Sequence, residues 1–252
     1  MDRPLPKVLY AVQGTGNGHV SRAREIIPIL QKHSRLDVML SGDQSQVELP
    51  LDPAYKVKGL TYVYNRQGGL SYWQSFLKTR PFRLFRELKQ LPVNEYDLVI
   101  SDFESVSAWA CRLRKQNCVG MGHQAAFQSK LTPRPRRKSL LGEWILKKYA
   151  PCNSYLGFHF DEFDNFIHKP IIRKEVREAK ISNLGHYSVY LPAFADQRIY
   201  DCLSQIPYIN WQVFTPHTKV FYKKANVHFH PVSNRQFLKN FCTCEGILTS
   251  AG

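Results

Sequence analysis

The chain has 252 residues, 43% of them hydrophobic and 22% charged, with a formal net charge of +15. Such a length and balance give an ordinary globular chain of one large or two modest domains, while no apolar run approaches the roughly 18–20 residues of a membrane span. The charge is the unusual term, and it calls for an anionic partner: nucleic acid, an anionic membrane surface or a phosphorylated substrate.

The N-terminal Met1-Asp-Arg-Pro-Leu-Pro6 is too short and polar for a signal peptide. Val8 to Val12 is an apolar run that predicts a strand. Gly14, Gly16 and Gly18 alternate behind it. Val20, Ala23, Ile26, Ile27 and Leu30 then fall on one face of a helix, which Pro28 should kink. Strand, glycine turn and helix open a doubly wound α/β domain. Glycine permits close approach of a ligand, and the helix points free N–H groups and its positive dipole end at that ligand. The pattern is G-x-G-x-G-H rather than the dinucleotide G-x-G-x-x-G, and neither Asp37 nor Asp43 sits well as a ribose partner. The loop therefore calls for an anion or polar ligand at a helix N-terminus and speaks only weakly for NAD.

Leu36 to Leu40 predicts a second strand, and Val57 to Tyr64 a third that Gly68-Gly69 breaks. Ser71 to Leu91 is helical, split at Pro81, and interleaves aromatic with basic residues. Tyr96 to Ser101 is a continuous apolar run, as a buried parallel strand requires. A helix over Ser105–Lys115 should turn Val106, Trp109, Ala110 and Leu113 inward, and Cys118 to Met121 is the next strand. Asp102, Glu104, His123 and Gln124 thus fall at carboxyl ends of parallel strands, where open α/β sheets bind ligands.

Pro133 and Pro135 predict a loop before a short amphipathic helix in a strongly basic stretch over 128–150. Tyr155 to Phe160 is expected to be the last strand of the first domain, and Asp161, Asp164 and Pro170 mark a linker. The alternation then restarts. Strands are expected over Ser188–Phe194, Trp211–Thr215, Val227–His230 and Gly246–Thr249. A helix over Asp196–Ile206 should take Asp196 as its N-cap, and Ser233-Asn-Arg-Gln236 has the form of a capping box for a helix through Cys242. The expected division is 1–165, a linker over 166–186, and 187–252.

Six cysteines, at 111, 118, 152, 202, 242 and 244, show neither C-x-x-C pairs nor disulfide-dense spacing. Reduced thiols in a cytoplasmic protein are the simplest account. His228, His230, Cys242 and Cys244 cluster in sequence, but their spacing matches no common zinc motif, so no metal is expected.

Gly14-Thr-Gly-Asn-Gly-His-Val-Ser-Arg-Ala23 resembles the N-terminal signature of a bacterial group of GT-B glycosyltransferases. These are similar to the transferase that adds N-acetylglucosamine to peptidoglycan lipid precursors and, more distantly, to glucosyl- and glucuronosyltransferases. Tyr96-Asp-Leu-Val-Ile-Ser-Asp-Phe-Glu104 is similar to the family's fourth strand and its acidic end. Lys169-Pro-Ile-Ile-Arg173 resembles the interdomain crossing, and Gly246-Ile-Leu-Thr-Ser-Ala-Gly252 the strand leading to the donor site. The resemblance implies two Rossmann-like domains, α/β and doubly wound, the second incomplete and the chain as given unable to transfer sugar. It implies inverting transfer from a nucleotide-sugar donor to an acceptor hydroxyl, with no cofactor and no bound metal.

Such transfer needs a base for the acceptor hydroxyl, and His19 at the helix start can supply one, since the dipole end favours neutral imidazole. Its orienting carboxylate is Asp102 or, alternatively, Glu104. The plainer readings are that His19 only caps the helix and that Asp102 is the N-cap of the helix behind it. Expected ligand contacts are Gly14, Thr15, Gly16, Asn17, Gly18, Arg22, His123, Gln124, Ser250 and Gly252. The basic aromatic segments 71–90 and 133–149 suit an anionic membrane or a lipid-linked acceptor, which places the protein in the cytoplasm at the membrane's inner face. The competing account is a basic nucleic-acid-binding or surface-binding α/β protein without catalysis. No RRM, KH or helix-turn-helix signature accompanies it, so nucleic acid is not an expected partner.

Overall fold

In the computed structural model, which describes residues 4–42, 47–60, 80–136 and 139–250, the first apolar run forms β1 (Lys7–Gln13). The periodic segment behind the glycines forms α1 (Asn17–His33), which continues through Pro28. β1 pairs in parallel with β2 (Arg35–Ser41) on one side and β4 (Leu98–Asp102) on the other. β3 (Tyr55–Val57) lies outside β2. β5 (Cys118–Gly122), β6 (Ser154–Phe158) and β7 (Ile167–His168) extend the other edge. The order is β3-β2-β1-β4-β5-β6-β7, and every pairing is parallel.

Alternation along β1 sets the two faces. Val8, Tyr10 and Val12 pack with Val20, Ala23, Ile26 and Ile27 of α1. Leu9 and Ala11 pack on the opposite side with Val106, Ala110 and Cys111 of α3 (Ser105–Arg114). Burial on both faces is why β1 and β4 read as unbroken apolar runs. Between β3 and β4 lies α2 (Pro81–Gln90), opened by its N-terminal proline. After β5 come α4 (His123–Ala126) and α5 (Leu140–Lys148).

The described residues divide into two compact units, one reaching Arg173 and the other beginning at Lys174. The second unit starts with the single turn α6 (Lys174–Arg177). It then carries β8 (His186–Tyr190), α7 (Asp196–Leu203), β9 (Asn210–Thr215), β10 (Tyr222–Lys224), β11 (Val227–Pro231), α8 (Asn234–Phe241) and β12 (Gly246–Thr249). Its sheet order is β10-β11-β9-β8-β12, parallel except for the β10–β11 hairpin. Val189, Val213, Val227 and Phe229 form its core with Ile199 and Leu203 of α7. Among the described residues no helix is long and apolar enough to cross a membrane.

Several local expectations are corrected. The third strand ends at Val57, because Lys58 and Gly59 turn their N–H groups to the Glu87 carboxylate, 3.1 Å each, and Gly59 takes φ +56°. Trp109 and Leu113 face outward, 37% and 65% exposed. Small residues of α3 (Ala108, Ala110 and Cys111) take the inward positions instead. The passage read as a linker contains β7, which pairs with β6, so Ser154–Phe158 is not the last strand of the first sheet. Asp196 is the first residue of α7 rather than its cap. Its carboxylate instead accepts from Thr215 Oγ1 at 2.6 Å and Tyr222 OH at 2.8 Å, tying α7 to β9 and β10. The capping box at Ser233 is not made: Ser233 forms no side-chain cap, and Gln236 Nε2 turns to His230 Nδ1 at 3.0 Å. Asp43, the strand residues 61–64, Gly68-Gly69, the helix residues 71–79, Arg137, Lys138 and Gly252 lie outside the described residues.

At Gly157 the first sheet lies close against a helix. A Cβ there would lie 2.7 Å from Ala126 Cα and 2.8 Å from Ala126 N, both backbone atoms of α4. Backbone cannot swing aside, so Gly157→Ala is expected to destabilise by about 1–3 kcal/mol as an overpacking change. Thermal unfolding should register roughly 2–4 °C for each kcal/mol, and an unchanged midpoint would show that β6 and α4 separate freely.

Candidate active site

Strand order reverses between β1 and β4, since β1 continues outward to β2 while β4 continues outward to β5. Such a reversal opens a crevice at the carboxyl ends of the strands. Three segments meet there: the glycine loop behind β1, the turn behind β4 and the Gly122–Gln124 turn behind β5.

The glycines of the loop do different things. A Cβ on Gly14 would lie 2.9 Å from Leu40 Cδ1 and 3.0 Å from the Gly42 carbonyl, so packing requires Gly14. Gly16 and Gly18 would meet nothing within 4 Å, so they leave open space at the start of α1. Gly16 caps α1 without a side-chain bond, and His19 is the third helical residue. Thr15 Oγ1 accepts from Gln13 Nε2 at 3.0 Å. Asn17 lies in the first turn beside His19.

Asp102, at the end of β4, is fully buried and gathers four donors. His19 Nδ1 lies 2.7 Å from Oδ1. Tyr10 OH and Arg22 Nε each donate to Oδ2 at 3.0 Å, and Arg22 Nη2 donates to Oδ1. A carboxylate only accepts, so the Asp102 bond calls for the proton on Nδ1 and a lone pair on Nε2; Arg22 Nη2, which only donates, lies 3.1 Å from the same Nδ1, and which of the two contacts Nδ1 keeps sets the tautomer. Burial alone would push the Asp102 carboxyl up. The Arg22 guanidinium and His19 outweigh it and hold the group well below the usual carboxylate range. Burial of Arg22 works against its charge, but Asp102 keeps it firmly protonated.

Glu104 is elsewhere engaged. Its carboxylate accepts from Val106 N at 2.8 Å and Ser107 N at 2.6 Å, so Glu104 caps α3. Burial pushes its carboxyl up despite those bonds. Of the two candidate partners for His19, the structure brings Asp102 to it and places Glu104 at the helix cap instead. Asp102 is correspondingly not the N-cap. Arg22, expected to touch a ligand, is buried and its donors go to Asp102.

His123 and Gln124 open α4 beside the same cluster. His123 Nδ1 faces the Phe158 carbonyl at 3.1 Å, while its outer edge is exposed. Ring desolvation, with the charge of Arg22, holds its pKa below the ordinary histidine value. Gln124 Oε1 is buried without a hydrogen-bond partner among the described residues. Ser250 follows β12 in the second unit.

Two contributors were not expected from sequence. Tyr10 sits inside the apolar run of β1, where nothing marks its hydroxyl as a donor to Asp102. Gly122 takes φ +137°, and a Cβ there would lie 3.1 Å from Arg22 Nη2 and 3.3 Å from Asp102 Oδ1. Its place after a strand and before His123 was the available signal. Asp37, a candidate ribose partner in a dinucleotide site, lies within β2 and accepts from Tyr96 OH at 2.8 Å.

Among the described residues no group of three or more His, Cys, Asp or Glu is arranged to hold a metal. His230 Nε2 lies 2.7 Å from Gln212 Oε1, and His228 Nδ1 3.0 Å from Gln212 Nε2.

The family model described as Glycosyl transferase family 1 matches residues 6–252. Among solved structures, the chain is similar to the glycosyltransferase SnogD from Streptomyces nogalater, at 10% identity over 99% of this chain and 76% of that one, with a TM-score of 0.51. It is similar to SsfS6, the Streptomyces sp. SF2575 glycosyltransferase complexed with thymidine diphosphate (11%, 97% and 76%, TM-score 0.50). It is also similar to S. aureus MnaA in complex with UDP (8%, 98% and 74%, TM-score 0.53). At these identities the likeness is one of fold, that of two Rossmann-like α/β domains. No curated protein sequence matches.

Proposed function

Because the chain belongs to glycosyl transferase family 1, we propose that it moves a sugar from a nucleotide-sugar donor to an acceptor hydroxyl, with inversion at the sugar carbon. The observation that carries this is the His19–Asp102 pair, 2.7 Å apart at the carboxyl ends of β1 and β4. Nε2 of His19 takes the acceptor proton as the C–O bond forms. Asp102 holds the Nδ1–H tautomer and stabilises the imidazolium that results. Gly16 and Gly18 leave space in front of the α1 N-terminus for the acceptor. The nucleoside diphosphate leaves as an anion, and thymidine diphosphate or UDP in two similar folds supports that donor class. The test is release of nucleoside diphosphate from a panel of UDP- and dTDP-sugars by the intact gene product. Release without an acceptor-derived glycoside, or none with any donor and acceptor, overturns the proposal.

The acceptor we propose is lipid-linked and met at an anionic membrane surface from the cytoplasmic side. Leu140, Leu141 and Trp144 of α5 are 87%, 44% and 59% exposed, and Lys147 and Lys148 close the same helix. Phe82 and Phe85 of α2 are exposed beside Arg83, Arg86 and Lys89. Each lysine or arginine near such a surface adds about 1 kcal/mol of attraction. Co-sedimentation with phosphatidylglycerol vesicles should rise with anionic lipid and fall with salt. Equal binding to phosphatidylcholine vesicles, or none to anionic ones, would sink it.

A further inference from the structure

We infer that Phe103 is a positioning residue for His19, fixing the plane of the imidazole whose nitrogen takes the acceptor proton; this rests on the base role proposed above. Phe103 has φ +53°, in the left-handed region that bulky side chains avoid. Three other non-glycine residues share that region among the described residues, each at an element boundary or turn: Arg80 before α2, Lys115 closing α3, and Ala225 between β10 and β11. Phe103 too lies at a boundary, between β4 and α3, but there it is flanked by Asp102 and by the Glu104 cap.

Its neighbours explain why it cannot relax. Ser101 Oγ donates to the Glu104 carbonyl at 2.7 Å and accepts from Glu104 N at 3.1 Å, closing a tight turn around Phe103. Glu104 is tied to the first turn of α3, and Asp102 to its four donors. A strained conformation persists only where the surroundings dictate it, and such conformations gather at functional sites.

What the strained turn delivers is a ring. The Phe103 ring lies parallel to His19, within 8°, with centroids 6.4 Å apart. Behind it stands Tyr149, buried, at 4.8 Å. The bond from Nδ1 to Asp102 tolerates some swing of the imidazole about its Cβ–Cγ bond. The Phe103 ring, parallel to the imidazole and packed on Tyr149, limits that swing on one side. The turn thus carries both restraints on the base: Asp102 acts on the nitrogen, Phe103 on the swing of the ring.

The test compares Phe103→Gly, Phe103→Leu and Phe103→Tyr with His19→Ala in the intact protein. Glycine relieves the backbone and removes the ring, leucine keeps a side chain without a plane, and tyrosine restores the plane. Glycine and leucine should lower kcat roughly 10- to 100-fold, the scale of a misplaced reacting group, with KM nearly unchanged. The urea midpoint of the glycine variant should not fall. Long-range ¹H–¹⁵N spectra should show His19 passing from one tautomer to a mixture, and tyrosine should recover both readouts. Wild-type kcat and a single tautomer in the glycine and leucine variants, with His19→Ala inactive, overturn the inference alone. Full activity of His19→Ala overturns the base role and the inference with it.

Discussion

Replacing His19 by alanine is expected to slow the chemical step by about 10²–10⁴-fold, the usual worth of a positioned general base, while donor binding stays nearly intact. His19 is the cleanest residue to test because its side chain is partly exposed, 16% by relative area, and its removal leaves the Arg22–Asp102 pair in place. Asp102→Asn also loses activity, since it weakens the hold on the Nδ1–H tautomer, but it unbalances Arg22 as well. Glu104→Gln should act on folding of α3 and spare turnover, as its carboxylate is a helix cap. Pre-steady-state rates with a saturating donor separate these cases. Unchanged turnover in His19→Ala sinks the base role, and a greater loss in Glu104→Gln than in Asp102→Asn reverses the partner assignment.

The largest expected effect on stability comes from Arg22→Met. The Arg22 side chain is 7% exposed and Asp102 is fully buried. Removing Arg22 takes the full positive charge from a buried carboxylate and leaves it Tyr10 and His19 alone, a loss of up to about 3–5 kcal/mol. Urea unfolding should show it as a lowered midpoint, and a loss below about 1 kcal/mol, the scale of a surface pair, would show the pair to be one. The pH dependence has a definite sign. The Asp102 pKa is depressed in the folded state, so its contribution is complete above the unfolded carboxyl value near ~4 and is withdrawn as pH falls from there toward the folded value. In Arg22→Met the guanidinium that opposes burial is gone, so the folded value moves up toward the unfolded one and the acid-side loss should be smaller than in wild type.

Much of the fold was legible because burial on two faces writes long apolar runs. Val8–Val12 and Tyr96–Ser101 announced β1 and β4, and the helical period from Val20 announced α1. Residues whose roles depend on a distant partner were not legible. Asp196 looks like a cap until Thr215 and Tyr222 claim it. Trp109 and Leu113 look like core until the small residues of α3 are seen taking the sheet face. At the site, position gave His19 with Asp102 as its partner, strands one and four being common neighbours, and left Glu104 as the alternative. Asp102 and Glu104 stand two apart on one turn, and only backbone geometry decides which reaches the cap and which reaches the base. Tyr10 was hidden for the same reason, its ring satisfying the apolar pattern while its hydroxyl serves Asp102.

The pairing of β1 with β4 also orders the making of the site in time. His19 and Asp102 are 83 residues apart in sequence, and Lys7 N meets the Asp97 carboxylate across 90. α1 is local and needs no distant segment to form, whereas closing so long a loop costs chain entropy before any contact returns it. During synthesis Arg22 precedes its counter-charge by 80 residues. The Arg22 charge stays in water until β4 has been synthesised and has docked beside β1. Burial of the guanidinium and assembly of the base therefore belong to one late step of folding.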